Sequence, residues 1–155
     1  MKVYLSGGMQ FAKRSGSVWR EDFGLWVDRE LGHLVIDPVQ ESRHLLKRLR
    51  GEHKRLFGAS KTGGDWPEFF REIVRRDIDF VRSSDYVVCL WNDGARRGAG
   101  TQGELTIARD AAIPVYLVAR NSLSKLPGWI QGCTTAHFNG FVSLKRFLIQ
   151  QYRHE

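Results

Sequence analysis

The sequence is poor in the residues that build staples and metal centres. Cys89 and Cys133 are the only cysteines in 155 residues, and they lie far apart. A disulfide framework is excluded, and the pattern suits a reducing compartment. His33, His44, His53, His137 and His154 are scattered, none at metal-ligand spacing from a cysteine, so no zinc or iron site follows. No apolar run approaches the roughly 20 residues of a spanning helix, and the opening "MKVYLSGG" is too short for a signal peptide. The expected location is the cytoplasm, without membrane contact. A G-x-S-x-G elbow and a P-loop lysine are both missing. Repeats and linkers are missing too, which points to a single domain over 1–155, large enough to bury its own core.

Positive charge is in excess. Lys plus Arg number 24 against 17 Asp plus Glu, a formal +7, which favours anionic ligands without identifying them. Much of the excess sits in 40–65, where "RHLLKRLRGEHKRLF" reads as an amphipathic helix burying Leu45, Leu46, Leu49 and Leu56 beneath a solvated basic face. Nucleic acid is the disfavoured alternative partner, because only Phe57 and Trp66 are near enough to stack on bases.

Short apolar runs alternate with helical patterns along the chain. "KVYLS" (2–6), "HLVIDP" (33–38), "DYVVCLW" (85–91), "IPVYLV" (113–118) and "TTAHF" (134–138) read as strands. Helices are expected over 17–31 with Ser17 as N-cap, over 40–57, from Pro67 to Ser83 burying Phe70, Ile73, Val74, Ile78 and Val81, over 101–112, and over 141–152. The unbroken apolar run at 85–91 implies a strand covered on both faces. Strands separated by helices give an α/β fold, a doubly wound five-stranded parallel sheet in flavodoxin-like order. Ligands bind such sheets beyond the carboxyl ends of the strands, which brings "SGGM" (6–9) and "NDGARRGAGTQGE" (92–104) to one rim.

Within the second loop, "GAGTQGEL" supports three readings. Gly98, Gly100 and Gly103 fit G-x-G-x-x-G, but the dinucleotide motif follows the first strand and needs an acid about 20 residues on, where this chain has none. Thr101 to Glu104 spells the capping box T-x-x-E, which accounts for those two residues but not for the glycines. In the third reading Glu104, in the first turn of a helix, is kept ionised by the helix dipole and exposed among small neighbours, as attack on an anomeric carbon requires. That chemistry also needs an acid. "RRDIDFVRSSD" offers Asp77, Asp79 and Asp85; Asp77 and Asp79 are two apart on a helix, so at most one of them turns inward. The bland alternative pairs both with Arg75, Arg76 or Arg82 in solvent.

Taken together, "KVYLSGG", "RRDIDFVRSSDYVVCLW" and "GAGTQGELTIARDAAIPVYLV" resemble the nucleoside 2-deoxyribosyltransferase family and the related nucleoside 5'-monophosphate N-glycosidases, over about two thirds of the chain. The resemblance implies Glu104 as catalytic nucleophile, Tyr4 as the phenol that orients it, and Asp77 as the residue that helps protonate the departing base. It implies a sugar and base enclosed by Gly7, Gly8 and Met9, and a tight turn at Gly100 and Thr101. Asp79, Asn92, Asp93 and Gly98 are further candidate substrate contacts at the rim. Six residues before the nucleophile the family carries aspartate or serine, whereas this chain carries Gly98, so neither a free 5'-hydroxyl nor a 5'-phosphate is favoured. Thr106 stands where the family often has glycine.

The implied activity is cleavage or exchange of the N-glycosidic bond of a nucleoside or nucleotide through a covalent glycosyl-glutamate. It requires no metal or organic cofactor. A homodimer or larger assembly is expected, since a neighbouring subunit often completes the family's pocket. The competing reading is a binding module of the same fold that senses a nucleotide without turnover.

Overall fold

The computed structural model describes residues 1–9, 13–52 and 66–153. Strands β1 (Lys2–Gly7), β2 (Leu34–Ile36), β3 (Tyr86–Leu90), β4 (Val115–Val118) and β5 (Ala136–Phe138) form one sheet in the order β2-β1-β3-β4-β5, every pair parallel. This is the expected doubly wound, flavodoxin-like arrangement. Parallel strands need crossovers, supplied by helices α1 (Ser17–Leu31), α2 (Pro38–Glu52), α3 (Trp66–Arg82), α4 (Asp93–Arg97), α5 (Ala99–Asp110) and α6 (Gly128–Cys133); α7 (Phe141–Tyr152) follows the last strand.

The strand alternation sorts the core into two layers. Tyr4, Val87, Cys89 and Leu117 face one way and pack with Val81, Leu105, Ala108 and Ile130 from α3, α5 and α6. Val3, Leu5, Tyr86 and Val88 face the other and pack with Phe23, Val27, Leu144 and Leu148 from α1 and α7. Each such side chain contributes roughly 1.5–3 kcal/mol when fully buried. The strands at the sheet centre are sealed on both faces, as the unbroken apolar run of β3 requires.

Several local expectations are corrected. Ser17 is the first residue of α1 and not its cap; Gly16 holds the cap position in the left-handed conformation. Pro38 does more than end a strand, since it is the first residue of α2, where its missing N–H costs nothing. On α3, Val81 is buried as expected, but Phe70 and Val74 are 47% and 56% exposed, and Phe69 takes the inward position. The apolar stripe of α3 is wider than the surface it covers. Of the four leucines expected beneath the basic helix, Leu45 is buried. The side chains of Leu46 and Leu49, all of Leu56, and the loop over 58–65 lie outside the described residues. Among the described residues no helix is long and apolar enough to cross a membrane.

Candidate active site

The buried residues of α5 are Thr101, Glu104, Leu105 and Ala108, a spacing of i, i+3, i+4 and i+7 that marks the face turned to the sheet. Glu104 thus puts a carboxylate at a core position. On β1, Tyr4 and Ser6 are two apart and share the face beneath α5. The Tyr4 hydroxyl donates to Glu104 Oε1 at 3.0 Å, and Ser6 Oγ donates to Oε2 at 2.5 Å. Each oxygen keeps a second lone pair for a reacting atom.

This corrects the capping box. The helix begins at Ala99 with Gly98 as its cap, and the Glu104 side chain leaves its own helix for the strand. Glu104 is also not bare at the rim, being only 9% exposed, and it lies beyond the first turn of α5. Its ionisation is therefore governed by neighbours and not by the helix dipole. Burial raises its pKa above the ordinary carboxylate value, while the hydroxyls of Ser6 and Tyr4 and the charge of Arg20 pull it back down. Burial, then the Glu104 charge, hold the Tyr4 phenol well above its usual range, so Tyr4 remains a donor. Cys89, paired with Ser6 in the β1–β3 register, is pushed up to about 12 by burial and by Glu104, and stays a thiol.

Asp77 is carried by α3, which packs against α5. Asp77 is 15% exposed, and its pKa is raised to about 7 by burial first and by the Glu104 charge second. Arg76, 3.5 Å from Asp77 Oδ1, opposes that rise. Arg76 itself is tied to α2 through the Glu41 carbonyl at 2.9 Å and Ser42 Oγ at 3.1 Å. Asp79 turns the other way; 62% exposed, it pairs with Arg75 at 3.0 Å. Helical spacing separates the two aspartates, and Asp79 stands in a solvated ion pair. Asp85 accepts the backbone N–H of Lys2 at 2.6 Å.

The two rim loops are in contact. A Cβ on Gly8 would come within 2.4 Å of the Gly94 carbonyl carbon and 2.5 Å of the Ala95 nitrogen, so α4 sits directly on the loop after β1. Gly8 makes room for the backbone of α4. Gly7 ends β1 opposite Leu90, and Met9 follows half-buried. Asn92 caps α4, accepting from Ala95 N at 3.1 Å, and Asp93 is 92% exposed beside Arg96 at 3.6 Å; both serve α4 itself. Gly98 donates its N–H to the Gly94 carbonyl, whereas Gly100 faces open space.

Sequence reasoning missed two members of this arrangement. Ser6 was legible, since it follows Tyr4 by two on a strand. Arg20 was not, because a lone arginine on a helix carries no mark of burial. Its side chain is 1% exposed and reaches the carbonyls of Leu5, Gly7 and Gly16. An open groove of about 420 Å³ runs beside it along α1 and β2; Tyr4, Asp77 and Glu104 do not line it. Among the described residues no cluster of three or more His, Cys, Asp or Glu could hold a metal ion.

No family model and no curated protein matches the sequence. Solved structures do match the fold. A 2-deoxyribosyltransferase of Bacillus psychrosaccharolyticus is similar with a TM-score of 0.64 and 18% identity, over 94% of this chain and 90% of that one. A conserved protein of Enterococcus faecalis V583 is similar with a TM-score of 0.60 and 14% identity, over 97% and 98% of the two chains. The CMP N-glycosidase of Clostridium botulinum follows with a TM-score of 0.53 and 15% identity, over 96% and 98%. The fold is that of the nucleoside deoxyribosyltransferases.

Proposed function

We propose that the protein cleaves or exchanges the N-glycosidic bond of a nucleoside or nucleoside monophosphate, with Glu104 as nucleophile and Asp77 as acid. The observation that carries this reading is a buried carboxylate held at both oxygens by hydroxyls of one strand, with a charge that helps raise the Asp77 carboxyl to about 7. Burial favours the proton on Asp77, while the hydroxyls of Ser6 and Tyr4 favour the charged form of Glu104 against its own burial, a division of roles that suits an acid and a nucleophile. The activities named for the 2-deoxyribosyltransferase and the CMP N-glycosidase of this fold agree with it.

In the first step a lone pair of the Glu104 carboxylate bonds to C1' of the sugar. The C1'–N bond breaks with its electron pair on the base, and protonated Asp77 delivers a proton to a base nitrogen. Charge leaves Glu104 as the ester forms, and the hydroxyls of Tyr4 and Ser6 hold it in the attacking orientation. In the second step water or an acceptor base bonds to C1', the ester breaks, Glu104 recovers its charge and Asp77 takes up the proton released. Two displacements retain the configuration at C1'.

The test is a panel of deoxyribonucleosides, ribonucleosides and their 5'-monophosphates, with and without an acceptor base, read as free base by chromatography. Release that disappears in Glu104→Ala and persists in the surface control Glu68→Ala supports the enzyme. Tight binding of a ligand recovered unchanged marks a binding module and refutes it.

A further inference from the structure

β1 and β2 pair through Lys2–Leu34, Val3–Val35 and Tyr4–Ile36, and the Met1 carbonyl accepts the Leu34 amide at 2.9 Å. Stepping by two, that alternation sets the Val3 carbonyl against the amide of Ile36 and would set the Leu5 carbonyl against the amide of residue 38. Residue 38 is proline, which has no N–H. The β2 side of β1 therefore runs out of donors just where Tyr4 and Ser6 stand, and buried carbonyls left unpaired are costly.

Arg20 fills the gap. From α1 its Nε donates to the Leu5 carbonyl at 3.1 Å and its Nη2 to the Gly7 carbonyl at 2.8 Å. The other amino group, Nη1, donates to the Gly16 carbonyl at 3.0 Å, and Gly16 adopts φ 65°, a conformation glycine takes without strain. Asp37 Oδ1 lies 3.7 Å from Nε, so the buried charge has a counter-ion, and Trp19 covers the guanidinium at 4.8 Å. A planar fork with five donors suits a row of carbonyls as an ammonium does not.

We propose that Arg20 is a positioning residue of the Glu104 site: it stands in for the missing end of β2, fixing the segment of β1 that carries Tyr4 and Ser6, and places a buried positive charge near the Glu104 carboxylate. The role rests on the glycosyl-transfer reading only for its kinetic consequence. Among the described residues, the charged and titratable groups coupled to Glu104 are Tyr4 from β1, Cys89 from β3, Asp77 from α3 and Arg20 from α1. Of these only Arg20 is a permanent cation. Its charge is among the influences that lower the Glu104 pKa against burial.

Two substitutions separate the contributions. Arg20→Gln removes the charge and keeps a donor; Arg20→Lys keeps the charge and loses the fork. With the carboxyl of Glu104 followed by carbon NMR titration, Arg20→Gln is expected to move its midpoint to higher pH, and Arg20→Lys to leave it near wild type. In turnover, Arg20→Lys is expected to lower kcat by about tenfold to a hundredfold with little change in KM, the size of effect that misplacing a reacting group brings. An unmoved midpoint in folded Arg20→Gln, or wild-type kcat in Arg20→Lys, overturns the proposal. Should Arg20→Gln not fold, the Lys variant alone decides through kcat. Should the wild type release no base from any substrate, the glycosyl-transfer reading fails while the titration still judges Arg20.

Discussion

The Tyr4 hydroxyl lies 3.0 Å from Oε1 of Glu104, a bond joining residues 100 positions apart in the chain. With Ser6 on the other oxygen, it fixes the carboxylate against the sheet. It also makes the charge tolerable in a place where burial opposes it.

Removing that phenol has a signed consequence. Tyr4→Phe deletes a hydrogen bond to the ionised form, so the Glu104 pKa rises further and the acid limb of the activity profile moves to higher pH. Such a bond to a charged group is worth about 1.5–3 kcal/mol, so kcat near neutrality is expected to fall by about tenfold to a hundredfold. Ser6→Ala should act in the same direction. A pH–rate profile of each variant, with thermal unfolding as the folding control, checks both.

Glu104→Gln keeps the shape of the side chain and removes its charge. Base release should fall by at least about a thousandfold, as expected when a nucleophile is lost. Stability should hold or rise, because an acid whose burial raises its pKa is less costly as a neutral amide. Urea unfolding beside single-turnover kinetics tests the two halves independently.

Asp77 ties activity and stability to the same pH window. As the acid it must be protonated, so turnover should decline as pH rises through about 7, and Asp77→Asn should lose this limb along with about a hundredfold or more of the rate. For stability, a folded pKa of about 7 stands above the ordinary aspartate value of 3.8, so the native state holds the proton more tightly. The associated stability is full below 3.8 and is lost as pH rises to about 7. Urea midpoints measured across that interval should fall for the wild type more than for Asp77→Asn. Asp79→Asn, altering a solvated ion pair, should leave turnover at wild-type levels.

Gly8 and Gly100 predict opposite outcomes for the same substitution. Gly8→Ala drives a methyl into the backbone of Gly94 and Ala95, an overpacking cost of about 1–3 kcal/mol or more, and the melting temperature should drop by several degrees. Gly100→Ala meets nothing within 4 Å among the described residues and improves helix propensity, so stability should be kept or slightly raised. If the open space beside Gly100 receives the sugar, KM rises in this variant alone.

The periodicities of the chain determined the order of elements and the parallel sheet, because strand and helix repeats are local and survive without knowledge of neighbours. Tyr4, Asp77 and Glu104 could be singled out on that basis together with a family resemblance. What only the tertiary structure decided is which polar groups meet. Asp77 is largely buried and Asp79 is not because α3 docks on α5 with one of its faces; Phe70 and Val74 are about half exposed. Gly8 proves to be a packing glycine because α4, which the sequence showed only as loop, lands on it. Arg20 becomes part of the sheet because Pro38, two residues past the end of β2, has no N–H to offer the Leu5 carbonyl. A residue's type carries its capacity to donate or accept, but whether that capacity is spent on solvent or on a buried partner depends on distant chain brought alongside, and no local pattern records it.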